Sequence, residues 1–262
     1  MSISIVTRSL RTSELQGLID NLMLIDNTEI EIIAVCVEED VIINEIEKVR
    51  IIIENSNRFR ARITGIRNAS FENVLLLDCD QRVTKELLRE LDKKKEDIVI
   101  IPERSSRQDI VRVMFDDLRK KTEAVSVGSP SPDFPVVPRF YKRDVLMKGL
   151  ADISDYIAEY GLSHEDSILF YEVYRYSKSI AFSKENIIDL DPDLFTIIRK
   201  AFLYGQYARL ARKAKLPQKY LRLIGELNKN SLLIKKHELG PAHVLQGLRA
   251  IAYGLGFLVW NE

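Results

Sequence analysis

The first hundred residues alternate short apolar runs, rich in β-branched side chains, with longer segments in which apolar residues recur at helical spacing. This alternation is typical of an α/β layer with parallel strands. Strands that are apolar throughout are buried on both faces, so we expect helices on each side of the sheet. The pattern predicts strands at Ser2–Val6, Glu31–Val37, Asn73–Leu77 and Asp97–Ile101, and helices at Thr12–Ile25, Asp40–Asn55, Arg60–Ala69 and Thr84–Lys94.

The remainder of the chain changes character near residue 193. From Asp193 the apolar spacing is helical throughout, with breaks at Pro217 and at Gly240-Pro241. The sequence therefore predicts an α/β domain over residues 1–192 and a helical region over residues 193–262. Before residue 193 the pattern adds a helix near Gln108–Lys121, helices that begin near Lys142 and Ser163, and strands at Arg139–Tyr141, Ser179–Phe182 and Ile187–Leu190.

The formal net charge of zero hides two regions of opposite sign. Residues 195–262 contain 12 Lys and Arg against 3 Asp and Glu, a net charge of +9, so residues 1–194 carry −9. An apolar fraction of 46% excludes a disordered chain. Two cysteines, Cys36 and Cys79, are too few for a disulfide framework, and the first residues lack the pattern of a secretory signal. We therefore expect a cytoplasmic protein.

Three common signatures of nucleotide or metal binding do not occur in the sequence. It contains no Gly-x-x-x-x-Gly-Lys, the turn after the first predicted strand has no glycine, and the three histidines lack metal-ligand spacing. These features argue against a P-loop enzyme, a dehydrogenase and a histidine-based metal site.

Two acidic clusters are the remaining candidates for a metal-binding or catalytic site. Asp78-Cys79-Asp80 follows the buried run Val74–Leu77, at the carboxyl end of a strand, where open α/β sheets bind ligands. Two carboxylates there suit Mg²⁺ or Mn²⁺ and, through the cation, a diphosphate. Glu165-Asp166 begins a predicted helix, where the acids either carry out chemistry or simply favour the helix N-terminus.

The order of these pieces resembles glycosyltransferase family 2, whose members are inverting enzymes with the GT-A fold. The resemblance implies a Rossmann-like, mixed, mostly parallel sheet flanked by helices, followed here by a helical C-terminal extension. The resemblance covers most of the chain and lies in the joint order of its segments. It rests on Ser2–Thr7 and Glu31–Val37 as the first two strands, and on Ala61–Ala69 as the Ala-Arg-Asn-x-Gly helix, with Ile63 in place of the asparagine. It rests further on Val74–Asp80 as the strand with Asp-x-Asp, and then on Arg139–Val145, Glu165–Ser167 and Tyr204-Gly205 with Arg209.

The resemblance implies a sugar transfer from a nucleotide-sugar donor, a UDP- or GDP-sugar, to a saccharide or lipid-linked acceptor. Asp166 would be the general base and Glu165 would orient the acceptor. Asp80 would bind Mn²⁺ or Mg²⁺, with Asp78 and Asp189 as further ligands. The implied donor contacts are Thr7, Arg8, Glu38, Arg62 and Asp78.

One departure from the family concerns the nucleotide base. Relatives usually carry an aspartate pair after the second strand, whereas this sequence has Glu38-Glu39-Asp40. A catalytically silent glycosyltransferase-like protein, which binds a partner or a membrane, is therefore the alternative interpretation.

The C-terminal region suggests a second kind of contact. Between Phe195 and Leu216, apolar residues interleave with arginines and lysines, as in basic amphipathic helices that lie on anionic membranes. The alternative is a helical subdomain with its basic face in water. No nucleic-acid-binding module accompanies the basic region, so we expect no nucleic-acid partner.

Overall fold

The computed structural model forms two compact units, and each draws on several stretches of the chain. The first contains Met1–Glu103, Pro138–Ile153 and Glu172–Asp189, and the second contains Arg104–Val137, Ser154–Tyr171 and Leu190–Glu262. The single boundary after residue 192 remains a prediction. The structure describes residues 2–9, 12–25, 29–37, 48–106, 109, 112–114, 116–117, 119–120, 131–132, 137–190, 193–232 and 241–258.

A seven-stranded sheet forms the centre of the first unit, in the order β3-β2-β1-β4-β8-β6-β9. Neighbouring strands are parallel from β3 to β4 and between β6 and β9, whereas β8 runs antiparallel to both β4 and β6. The predicted mixed, mostly parallel sheet is thereby confirmed. The strands are β1 (Ser2–Ser9), β2 (Glu29–Cys36), β3 (Val49–Ile53), β4 (Asn73–Leu76), β6 (Ile98–Ile100), β8 (Phe140–Lys142) and β9 (Ile180–Phe182).

Three further short strands are β5 (Gln81–Arg82), β7 (Glu103–Ser105) and β10 (Ile187–Asp189). Strand β10 pairs with β5 in antiparallel fashion, with Asp189 opposite Gln81. This pairing brings the chain beyond residue 186 back beside the turn that follows β4.

The predicted helix over Asp40–Asn55 is wrong at its C-terminal end. Val49–Ile53 forms β3 and pairs in parallel with β2, while residues 38–47 lie outside the described part of the chain. The segment Val-Arg-Ile-Ile-Ile is rich in β-branched residues, which favour a pleated surface. The charged residues that precede it in the sequence follow helical spacing, and this spacing led to the wrong prediction.

Helices cover both faces of the sheet, as predicted. Ile3 and Ile5 of β1 share a buried cluster with residues of α1 and α3, whereas α2 contacts β1 and β2 without joining that cluster. Because alternate residues of a strand point to opposite faces, α2 lies on the other side. The helices are α1 (Thr12–Met23), α2 (Arg58–Arg67), α3 (Lys85–Asp92), α4 (Arg143–Ala151), α5 (Asp155–Tyr160), α6 (Glu165–Tyr174), α7 (Leu194–Lys213), α8 (Gln218–Leu232) and α9 (Pro241–Leu258).

The C-terminal helices begin where the sequence predicts. The Asp193 carboxylate accepts a hydrogen bond from the Thr196 backbone N–H at 2.7 Å and so caps α7. Helix α8 follows Pro217, and α9 begins at Pro241. The predicted helical character is thus confirmed for the described residues of this region, 193–232 and 241–258.

Candidate active site

The turn after β4 presents two carboxylates and buries the residue between them. Cys79 is 4% exposed and belongs to the core cluster, whereas the Asp78 side chain is 39% exposed and Asp80 is half-buried. Burial raises the pKa of Cys79 to about 11, so its thiol is neutral at physiological pH. The turn thus directs its cysteine inward and leaves the two aspartates facing outward.

Two buried arginines converge on Asp78. Arg62 of α2 donates from Nη2 to Asp78 Oδ1 at 2.8 Å, and Arg139 Nη2 lies 3.5 Å from Asp78 Oδ2. Both arginines are 6% exposed. These contacts from two sides restrict the orientation of the Asp78 carboxylate.

Arg139 lies beside Asp78 because β8 runs antiparallel to β4. The Leu76 backbone N–H donates to the Arg139 carbonyl oxygen at 2.8 Å, so Arg139 lies beside the end of β4. In an antiparallel strand the first residues lie where the neighbouring parallel strands end. A side chain from the beginning of β8 therefore reaches the carboxyl edge of the sheet.

Glu103 and Gln81 complete the network around Asp78. Arg139 donates to Glu103 Oε1 from Nε at 3.0 Å and from Nη2 at 2.8 Å, and Gln81 Nε2 donates to the same oxygen at 3.1 Å. Gln81 Oε1 accepts from the Asp78 backbone N–H at 3.0 Å. The main chain and the side chain of Asp78 are thus held through one connected set of hydrogen bonds.

Arg139 remains charged within this set. Burial alone lowers the pKa of a guanidinium, but the carboxylates of Glu103 and Asp78 outweigh burial and hold the pKa of Arg139 above its usual value. Its ion pairs with Glu103 and Asp78 therefore persist across the physiological pH range.

Arg82 holds the turn from the other side. Its Nη1 donates to the carbonyl oxygens of Cys79 and Gln81, both at 2.8 Å, and so spans the backbone around Asp80. The guanidinium lies over Gly17 of α1, where a Cβ atom would overlap Arg82 Nη2. The absent side chain of Gly17 therefore makes room for the group that fixes the position of Asp80.

Thr7 and Arg8, two of the predicted donor contacts, lie beside the turn and make contacts with it. Thr7 is 2% exposed and its hydroxyl shares a hydrogen bond of 3.2 Å with Cys79 Sγ. The Cys79 thiol donates to the Arg8 carbonyl oxygen at 2.8 Å, and the Arg8 guanidinium lies 3.5 Å from the Ser56 carbonyl oxygen. These contacts join the end of β1 to the aspartate turn.

The expected metal ligands are close in the fold, and their chemistry fits a hard cation. Asp78 and Asp80 share the turn, and Asp189 pairs with the adjacent Gln81. Within the described ranges, no three His, Cys, Asp or Glu side chains form a ready metal cluster. Mg²⁺ usually binds one or two carboxylates together with substrate phosphates and water, so the oxygen donors here suit a cation that binds with a diphosphate.

Three predicted site residues are not placed in this cluster. Glu38 lies outside the described residues. Glu165 and Asp166 begin α6 in the second unit, where Glu165 is 1% exposed and Asp166 is half-buried. Their proposed roles remain predictions.

Sequence reasoning missed Gln81, Arg82 and Glu103 as parts of the site. Gln81 and Arg82 directly follow the Asp-x-Asp motif, and that position was an available signal. Glu103 carries no such signal, because its contact with Arg139 joins residues that are 36 positions apart.

Sequence comparison gives no match: no protein-family model matches the chain, and none of the curated proteins matches it. Solved structures do match. The mannosyltransferase PcManGT from Pyrobaculum calidifontis, in complex with GDP-Man and Mn²⁺, superposes with a TM-score of 0.63 at 14% identity, over 98% of this chain and 86% of that one.

S. aureus TarS 1–349 matches with a TM-score of 0.56 at 16% identity, over 97% of this chain and 81% of that one. Its complex with UDP-GlcNAc matches with a TM-score of 0.52 at 14% identity, over 97% and 82%. At sequence identities this low, what the superpositions establish is a shared fold. The chain therefore has the mixed α/β, GT-A-like fold of these glycosyltransferases.

Proposed function

We propose that this protein is an inverting, cation-assisted glycosyltransferase that uses a UDP- or GDP-sugar as donor. The observation that carries the proposal is the Asp78-Cys79-Asp80 turn, held by Arg62, Arg139 and Arg82 at the carboxyl edge of the sheet. Ligands bind at this edge in open α/β sheets. The fold shared with proteins seen with GDP-Man and UDP-GlcNAc supports the choice of donor.

Asp78 is suited to bind the hydroxyls of the donor's ribose. Its carboxylate is charged, partly exposed and already oriented by two arginines, so it accepts hydrogen bonds with little loss of side-chain freedom.

Asp80, together with Asp78 and Asp189, is the proposed oxygen donor set for Mn²⁺ or Mg²⁺. A bound cation would stabilise the negative charge that develops on the departing diphosphate. The Mn²⁺ in the PcManGT complex supports this assignment. Arg82 holds the backbone on both sides of Asp80 and so fixes the position from which the Asp80 side chain extends.

Asp166 is the proposed general base, and Glu165 the proposed acceptor-orienting residue. Asp166 would accept the proton of the acceptor hydroxyl as that oxygen bonds to the anomeric carbon and the bond to the nucleoside diphosphate breaks. One displacement inverts the configuration at that carbon. The acceptor is a saccharide or a lipid-linked saccharide.

Donor binding is tested by thermal unfolding with UDP, GDP and CDP, each with and without Mn²⁺. At about 100 times Kd, a ligand stabilises the folded state by about 2.7 kcal/mol. We expect one nucleotide to raise Tm by about 5–10 °C, with a cation-dependent part that Asp80→Asn removes. Asp144→Asn, an exposed residue of α4, is the control and should keep the full shift.

No shift with any nucleotide and metal would exclude the transferase. Transfer itself is tested with the matching nucleotide sugar: Asp166→Asn should slow turnover by about 10²–10⁴-fold while the nucleotide-dependent Tm shift remains. Nucleotide binding without any donor turnover by the unmodified protein would instead favour the catalytically silent alternative.

A further inference from the structure

Helix α9 carries a continuous apolar face on the protein surface. Five large apolar side chains, spaced alternately by four and three residues, are between 38% and 72% exposed. This spacing places them along one side of the helix. They are Val244, Leu248, Ile251, Leu255 and Leu258.

The opposite side of α9 is fixed to the rest of the second unit. Leu245 and Ala252 are buried, and α9 packs along α7. A Cβ atom on Gly256 would overlap the Phe202 carbonyl oxygen, and one on Gly205 would overlap the Tyr253 carbonyl oxygen. Such close backbone contact holds α9 in one rotation, so its apolar face stays outward.

Positive charge accompanies this face. Arg209 of α7 donates to the carbonyl oxygens of Phe257 (3.3 Å) and Leu258 (2.6 Å), and Arg212 lies 5.4 Å from the centre of the Phe257 ring. The described side chains of α9 include no acidic residue, and the one basic residue among them, Arg249, lies on the packed side of the helix with Leu245 and Ala252. The sequence from residue 195 onward has a net charge of +9.

We propose that the exposed face of α9 docks on an anionic membrane surface, with its apolar side chains in the interface and the surrounding arginines and lysines at the lipid headgroups. Helices with one apolar side and a cationic surround bind anionic bilayers in this way. A second copy of the chain would bring two regions of +9 together, which mutual repulsion opposes. The inference goes beyond the proposed function and stands without it.

The sequence favoured α7 as the membrane-binding helix, whereas this proposal assigns the membrane contact to α9. In α7 the residues Ile197, Ala201, Ala208 and Ala211 are buried, so much of its apolar side packs inside the unit. Among the described residues, no helix is long and apolar enough to cross a bilayer. The proposed contact is therefore one in which α9 lies along the surface.

The test is flotation of the full chain with vesicles of phosphatidylcholine alone and with about 30% phosphatidylserine. We expect binding to the anionic vesicles at about 0.05 M salt and much weaker binding at about 1 M. The chain's only tryptophan, Trp260, follows α9 by two residues and should transfer energy to a dansyl lipid on binding.

Ile251→Glu should lower vesicle affinity by about tenfold or more, because it places a charge in the apolar face. Leu24→Glu, an exposed leucine of the first unit, is the matched control and should bind normally. Leu258→Ser provides a milder second variant, and unfolding curves check that each variant is folded. The proposal is overturned if the unmodified protein does not bind anionic vesicles at low salt. It is also overturned if Ile251→Glu binds as well as the control, or if this change only dissociates a dimer in solution.

Discussion

Arg139→Met should destabilise the first unit by about 3 kcal/mol. The change removes two charge-assisted hydrogen bonds to Glu103, at 3.0 and 2.8 Å, and the ion pair with Asp78. Each charged hydrogen bond contributes about 1.5–3 kcal/mol. The lower limit applies here, because the Glu103 and Asp78 side chains are 24% and 39% exposed and regain part of their hydration.

A double-mutant cycle isolates the pair itself. Urea unfolding at pH 7 is measured for Arg139→Met, Glu103→Gln and the double variant, and we expect a coupling energy of about 2 kcal/mol. The coupling should persist at about 1 M salt, since buried pairs are screened little. If the two changes are additive to within about 0.5 kcal/mol, the network does not hold Asp78 in the manner argued.

Three further predictions concern other parts of the first unit, with one control in α8. Gly17→Ala should destabilise the protein by about 1 kcal/mol, since the new methyl group displaces Arg82 from two hydrogen bonds. The control is Gly225→Ala, where a Cβ meets nothing within 4 Å, and it should stabilise the protein by about 0.5–1 kcal/mol. Equal urea midpoints for the two variants would contradict this prediction. Partial burial opposes ionisation of Glu90, but hydrogen bonds from two backbone N–H groups, a serine hydroxyl and a lysine lower its pKa to about 2. The stability from this carboxylate is thus complete above about pH 4.5 and lost as pH falls towards 2, so Glu90→Gln should cost about 2 kcal/mol at pH 7 and little at pH 2; a pH-independent cost would refute this linkage. Cys79, with its pKa of about 11, should resist a thiol reagent in the native protein at pH 8 and react after unfolding; rapid native labelling would show that the turn is open.

The sheet is predictable because its strands are apolar over several residues and its helices have clear beginnings. Thr84 caps α3 by accepting from the Leu87 backbone N–H at 3.1 Å, as a threonine before an apolar helical pattern suggests. Val49–Ile53 was missed because charged residues before it follow helical spacing. Pairing with β2 decides its conformation, and that partner is distant in the sequence.

The candidate site is predictable only in part, for a related reason. A carboxylate motif after an apolar strand identifies Asp78 and Asp80. The direction of β8 is not encoded in Phe140–Lys142, so the sequence does not reveal that Arg139 faces the end of β4. Nor does Gly17 within a helical pattern indicate that Arg82 occupies the space above it.

The ion pair between Glu103 and Arg139 has a consequence for how this chain tolerates change. The chain leaves the first unit after Glu103 and returns at Pro138. The pair therefore acts as a non-covalent cross-link between the point of exit and the point of return. Sequence changes between residues 104 and 137 should therefore leave the carboxylate edge beside Asp78 in place as long as Glu103 and Arg139 are retained.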